Sequence, residues 1–158
     1  MWCGKDWFKK LWKQVDLDSV RYGFIKNKSN GLIFAVVDCI LDYNFDITNI
    51  SIAPVVNNCP VIGIGRAAFS SSIEIKTVDL PQSIMFIDEF AFSGCRKLCE
   101  INVPPMLKEI HWAAFMDCYS LEKMDISSDV KIEEGAFTNC PLEEQYKEKY
   151  ISRHDMYK

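Results

Sequence analysis

Few residues in this chain have types and spacings that could do chemistry. His111 and His154 are the only histidines. His111 falls in one column with Asp88, 23 residues before it, and Glu133, 22 residues after it. A general base between carboxylates is therefore the first chemistry to weigh, but it needs a nucleophile or a substrate pocket. No Ser/His/Asp or Cys/His arrangement stands at a recognisable spacing, so His111 is expected to be a surface histidine near carboxylates. Gly63-Ile64-Gly65 hints at a phosphate loop but lacks the third glycine and the helix that such a loop opens. Cys95 and Cys99 have three residues between them, with no second cysteine pair and no histidine at ligand spacing, so no zinc site is expected. Asn27-Lys28-Ser29 and Asn49-Ile50-Ser51 fit the glycosylation pattern, which has meaning only in an exported chain. No catalytic, cofactor-binding or metal-binding residue is assigned, and the chain is expected not to be an enzyme. What remains is recognition chemistry, carried by Phe86, Phe90 and Trp112 with Met85 and Met116 nearby.

The elements that position these residues are repeats. Ala68-Phe69, Ala91-Phe92, Ala114-Phe115 and Ala136-Phe137 recur at intervals of 23, 23 and 22 residues. A fixed period in the twenties marks a solenoid, whose units stack on their neighbours. Three residues after each Phe stand Ser72, Cys95, Cys118 and Cys140, followed by Ile75, Leu98, Leu121 and Leu142. Val78 with Leu80, Ile101 with Val103 and Met124 with Ile126 alternate with the period of two that predicts one short strand per coil. Pro54, Pro81 and Pro104 then end the strand, because proline cannot donate to a ladder. A second apolar pair follows: Ile84 and Ile87, Leu107 and Ile110, Val130 and Ile132. An earlier, less regular coil fits through Ile47, Ile50 and Ile52, with extra residues around Val55–Cys59. Stacking brings equal columns into register, so the repeated Phe is predicted to fill the core.

These columns resemble the BspA-type leucine-rich repeat family, whose units run I-G-x-x-A-F-x-x-C-x-x-L-x-x-I-x-I-P. Ile64-Gly65-Arg66-Ala67-Ala68-Phe69 opens one unit, and Ile87 through Cys95, Leu98, Ile101, Val103 and Pro104 complete another. The resemblance covers about residues 45–142, with Ser72 in place of the family's Cys and Ser127 in place of its Pro. It implies a right-handed solenoid of short strands and tight turns, acting in protein or cell-surface recognition, without catalytic residues.

Length and composition agree with one repeat domain. The 158 residues are 49% hydrophobic with a net charge of −4, enough apolar content for a core and too little charge for disorder. Residues 47–158 carry eleven Lys/Arg against sixteen Asp/Glu, which argues against ordinary nucleic-acid binding. Seven cysteines, three of them in the repeat column, are expected to be packed free thiols, which favours a reducing compartment. Residues 1–18 carry charges throughout with no continuous apolar stretch, so no secretory signal is read. The expected location is cytoplasmic; an exported or cell-surface chain with its signal removed is the alternative, as relatives of the family are often exported.

The expected architecture is thus mostly β with short helical turns: about five coils of roughly 23 residues, capped at both ends. Residues 1–46 are read as an N-terminal cap, 47–142 as the repeats and 143–158 as a C-terminal cap or tail. Trp7, Phe8, Leu11, Trp12 and Val15 stand three and four apart, which predicts an amphipathic helix over Asp6–Val15. Val20–Lys26 and Leu32–Val37 flank Asn27-Lys28-Ser29-Asn30-Gly31, which predicts a hairpin, and Cys39–Tyr43 is read as a third strand. Leu142–Arg153 reads as a charged helix or tail with Tyr146 and Tyr150 covering the last coil.

Two surfaces are candidates for a partner. Outward strand positions make one column of Asn49, Thr77, Glu100 and Lys123 and another of Ser51, Asp79, Asn102 and Asp125. The second surface is the aromatic group Phe86, Phe90 and Trp112, since exposed apolar patches mark interfaces. The function expected is a non-enzymatic protein-binding module for recognition or scaffolding, without cofactor. A small cytoplasmic inhibitor or immunity-type protein, blocking a toxin, nuclease or defence enzyme, is the alternative. A membrane partner is not expected, and the aromatic patch leaves a homodimer open.

Overall fold

The computed structural model describes residues 8–40 and 47–157. The repeats contribute strands to two sheets rather than to the single row expected. The apolar alternation after each turn forms the smaller sheet: β4 (Asn49–Ser51), β7 (Thr77–Asp79) and β9 (Glu100–Ile101), all parallel. The second apolar pair, which showed no alternation, supplies the larger sheet. There β6 (Cys59–Ile64), β8 (Phe86–Ile87), β10 (Glu109–Ile110) and β11 (Lys131–Glu133) run parallel, with Ile64, Ile87, Ile110 and Ile132 opposite one another. The chain between them is tight turn, so each repeat folds its apolar columns inward between two short ladders.

The repeated phenylalanines line up. Phe69, Phe92, Phe115 and Phe137 are all fully buried. Their successive ring centroids lie 5.0, 5.2 and 5.2 Å apart, with interplanar angles of 10° or less. That spacing is the strand-to-strand distance slightly stretched by offset stacking. The backbone at the rings is cross-linked as well: Phe69, Phe92 and Phe115 donate their N–H groups to the carbonyls of Ala91, Ala114 and Ala136 at 2.7–2.8 Å. Tyr146 takes the next place on the stack, 5.4 Å from Phe137. Its hydroxyl donates to the Met124 carbonyl and accepts from the Ile126 N–H. That stretch is buried but forms no strand, and the tyrosine meets its backbone instead.

The cysteine column is a column of donors. Cys95 and Cys118 are buried and donate through Sγ to the carbonyls of Phe69 and Phe92, each at 3.1 Å. Cys140 does the same to Leu121 at 3.5 Å. Burial pushes these thiols up, Cys95 to about 12 and Cys140 to about 11. Cys39, Cys59, Cys95, Cys99, Cys118 and Cys140 are free thiols, with Cys99 exposed.

The N-terminal end corrects the sequence reading. Phe8–Leu17 is a strand, β1, not a helix, and pairs antiparallel with β2 (Val20–Asn27). The register shifts between Leu11, opposite Phe24, and Gln14, opposite Gly23. This bulge breaks the two-residue alternation and produces the three- and four-residue spacing that reads as helical. Asp6 and Trp7 lie outside the described residues. β2 turns through Asn27, whose side-chain oxygen accepts from the Ser29 and Asn30 N–H groups, into β3 (Ile33–Ile40). Cys39 and Ile40 extend β3 rather than starting a third strand, and Leu41–Tyr43 lie outside the described residues. β3 then pairs parallel with β6, which joins the antiparallel strands to the repeat ladder. The extra residues of the first repeat form a two-residue hairpin: β5 (Val55–Val56) folds back on Cys59 and Pro60. Asn57 and Asn58 both take positive φ, 49° and 60°, as such turns require.

At the other end α1 (Glu143–Tyr146) leads through a 3-10 turn, Lys147–Lys149, to β12 (Tyr150–Ile151) and α2 (Arg153–Met156). The expected charged helix or tail is therefore broken by a strand that adds to the ladder beside β11.

Three outcomes are expected. Phe92→Ala or Phe115→Ala should lower stability by about 3–5 kcal/mol in equilibrium denaturation, because the neighbouring rings cannot close the gap. Alkylation of the native chain should modify Cys99 while sparing Cys95, Cys118 and Cys140 until denaturant is added. Because the buried thiols stay protonated when unfolded ones ionise, stability should fall above about pH 8.5, by roughly 1.4 kcal/mol per pH unit for each of Cys95 and Cys118; a melting series across that range reads it.

Candidate functional site

The turns carry two columns of left-handed backbone. Ala67, Phe90, Ala113 and Gly135 have φ of 56°, 57°, 54° and 81°, and Ser71, Gly94, Asp117 and Asn139 form the second column at 57–75°. The first column lies immediately before each Ala-Phe. Its geometry aims the N–H across the turn to the next repeat: Ala67 donates to the Glu89 carbonyl and Phe90 to that of Trp112. Only Gly135 escapes the roughly 1–2 kcal/mol cost that a Cβ in this region carries, which Ala67, Phe90 and Ala113 all bear. Phe90 is a bulky aromatic where its equivalents are Ala, Ala and Gly.

Phe90 and Trp112 are brought together. Their rings meet edge to face, 4.8 Å between centroids at 77°. Trp112, 37% exposed, extends over Gly135, where an added Cβ would lie 3.1 Å from the indole. On the other side the Arg66 guanidinium lies 5.9 Å from the Phe90 ring centroid. The Arg66, Phe90 and Trp112 side chains of three successive repeats, with Gly135 of the fourth against the indole, thus form one continuous strip.

The other aromatic of the expected patch lies elsewhere. Phe86 sits in β8 with its ring against Gly63, so closely that a Cβ there would be 2.1 Å from it. It is half-buried with Phe34 against a second apolar cluster of Ile25, Val36 and Ile62, so it joins the N-terminal strands to the repeats. Met85, just before β8, is exposed, and half-buried Met116 lies in the turn after Phe115.

The polar strip on the smaller sheet is largely committed to internal bonds. Asn102 is half-buried, and its amide accepts from the Leu80 N–H at 2.6 Å and donates to the Leu80 carbonyl at 2.8 Å. It thereby extends the ladder past the end of β9. Asp79 accepts from the Ser51 hydroxyl at 3.3 Å, and Thr77 donates to Asn49 at 2.7 Å. Asp125 is exposed. Ser51 and Asp79 also edge an open cleft of about 530 Å³, walled by Pro54, Val55, Pro60 and Pro81.

His111 is not at the surface. It is fully buried, with Nδ1 3.4 Å from Glu133 and Nε2 3.4 Å from Glu109, and Tyr157 stacks on its ring at 6.1 Å. Its column neighbours Asp88 and Glu133 are buried too, as is Glu89. Glu89 receives Arg66 at 3.2 Å and Arg153, and Glu133 accepts from the Trp112 N–H at 2.9 Å. This ion network was not foreseen. The polar pairs Asp88-Glu89, His111-Trp112 and Glu133-Glu134 in one column were its only trace in the sequence; the returning Arg153 left none. Among the described residues no group of His, Cys, Asp and Glu side chains is placed to hold a metal ion. No helix among them is long and apolar enough to cross a membrane.

Parallel ladders of near-equal units, stacked through one aromatic column, define a tandem-repeat protein of the leucine-rich type. The model of the BspA type leucine rich repeat region matches residues 38–154 in six copies, and the chain belongs to this family. Three solved structures are similar. A leucine-rich repeat protein from Bacteroides ovatus shares 30% identity over 80% of this chain and 33% of its own, with a TM-score of 0.65. One from Bacteroides capillosus shares 24% over 80% of this chain and 91% of its own, with a TM-score of 0.64. The T. pallidum leucine-rich repeat protein shares 24% over 77% and 55%, with a TM-score of 0.63. The chain therefore spans about a third and about half the length of the first and last of these. No relative was found among curated proteins.

The strained aromatic gives a test. Phe90→Gly should change stability by less than about 1 kcal/mol, because relief of the left-handed backbone offsets the lost ring contact. Denaturation set beside Phe92→Ala, two residues away, measures the contrast.

Proposed function

We propose that this chain is a non-enzymatic, right-handed solenoid that binds another protein through the strip of Phe90 and Trp112, with Met85 at its margin. The observation that carries this reading is Phe90 itself. A large, half-buried apolar side chain stands at a backbone position that disfavours it and is paired with the exposed Trp112. Strain of that kind persists where the side chain is used, and aromatic anchors beside an arginine are the usual centre of a binding surface. Membership of a repeat family of binding modules supports the class. Residues 8–40 serve as the N-terminal cap, and the segment after Leu142 covers the last core ring through Tyr146. Asp79, which accepts from Ser51, and Asp125 of the same column are left outside the strip, while Phe86 and Asn102 act in the fold. No observation favours the cytoplasmic inhibitor over recognition at a surface, and the comparisons support neither that role nor that location.

The test is a double substitution, Phe90→Ser with Trp112→Ser, in the full chain. Its melting curve should remain cooperative. Proteins enriched by the immobilised native chain, identified by quantitative mass spectrometry, should be lost from the variant. Equal capture by the two would reject the aromatic strip as the contact.

A further inference from the structure

The ion network lies under the C-terminal segment, which supplies one of its cations and a ring stacked on His111. Glu89 and Glu133 are 5% and 1% exposed. Burying carboxylates to that degree costs several kcal/mol unless cations meet them. One cation is Arg66, from the neighbouring turn, on one Glu89 oxygen at 3.2 Å. The other comes from 64 residues away: Arg153 donates to the second Glu89 oxygen and its Nε stands 3.8 Å from Glu133. Three residues on, Met156 is fully buried, and Tyr157 lies parallel on the His111 ring, 11° between planes. The segment thus presents a guanidinium, an apolar plug and an aromatic ring in the order of a bound peptide.

The carboxylates belong to the repeats, Glu133 in β11 and Glu89 in the turn after β8, whereas their partner belongs to short elements. β12 has two residues and α2 has four, the latter started by Ser152 accepting from the Asp155 N–H. The Arg153 side chain is 59% exposed even while bound. Elements with so little buried area open at lower free energy than the ladder beneath them. When they lift, two buried carboxylates lose a guanidinium and need another.

We propose that the notch formed by Glu89, Glu133 and His111 is a peptide-binding site. Its ligand is a segment with an arginine followed three and four residues later by an apolar and an aromatic side chain. The chain's own Arg153, Met156 and Tyr157 occupy the notch in cis and set the threshold for a partner's segment. Charge complementarity selects the arginine, because lysine cannot reach both carboxylates with a planar fork. This site goes beyond the aromatic strip and is tested with Phe90 and Trp112 intact.

The probe is a fluorescently labelled peptide of residues 150–157, titrated by anisotropy against the full chain and against its Arg153→Ala, Tyr157→Ala variant. The variant should bind the peptide about tenfold more tightly than the native chain. A peptide with Arg153→Ala should bind that variant about tenfold more weakly, as expected for loss of a partner to a buried charge. A folded variant that leaves the peptide free, or binds both peptides equally, overturns the proposal. Should the double variant fail to melt cooperatively, Tyr157→Ser alone removes only the ring stack. Its binding should exceed that of the native chain, and equal binding by the two overturns the proposal.

Discussion

The structure depends on equality of path between neighbouring repeats. Rings stacked at 5.0–5.2 Å leave no room for an extra residue between one Phe and the next unless it leaves the stack. Each deviation in the chain obeys this. The 22-residue interval is absorbed beyond the ladder, since Ile110 and Ile132 still face each other. The long first repeat sheds its surplus as a hairpin at Val55–Pro60. Register is enforced twice, by dispersion between rings and by the turn N–H groups that reach across to the next carbonyl. Neither network forms well without the other, because a slipped ring would leave a buried donor unpaired.

How much of this could be read beforehand follows from range. The phenylalanine column, the thiols and the residues of the smaller sheet repeat at short separation, so the period alone exposes them. The repeat part of the larger sheet was harder to see, because β8, β10 and β11 are two or three residues long and leave little room to alternate. The first strand was misread because the bulge after Leu11 spoils its alternation, and because pairing with β2 overrides local propensity. His111 was misplaced for another reason. Its column was correctly aligned with Asp88 and Glu133, but a column of charges gives no sign of which way it faces. What meets the column is the C-terminal segment, through Arg153 on Glu89 and Glu133 and Tyr157 on His111, and no local pattern records contacts of that range.

The candidate site divides in the same way. Phe90 and Trp112 meet because they are one repeat apart, which the alignment contains. Phe86 belongs to a different surface because its side chain points to the other side of the larger sheet, against Gly63 and the N-terminal strands. The glycine in Gly63-Ile64-Gly65 is there for that ring, not for a phosphate: any side chain at Gly63 would occupy the space Phe86 fills.

The same logic decides where a repeat protein of this build can hold a partner. Outward side chains on the smaller sheet look available in sequence, yet Asn102, Asp79, Ser51 and Thr77 bond to one another or to backbone across repeats. A partner that took them would have to replace those bonds at little net gain. The left-handed columns already pair the turn backbone from repeat to repeat at Ala67 and Phe90, and a phenyl ring at that position has no hydrogen bond to give up. An aromatic there adds contact area without removing a bond the fold needs. The aromatic strip lies on turn residues and the charged notch on turn residues with Glu133 at the end of β11; Arg66 touches both, on the Phe90 ring and on the Glu89 carboxylate. On the strand side, Asn102, Asp79, Ser51 and Thr77 are already spent on holding the repeats in step.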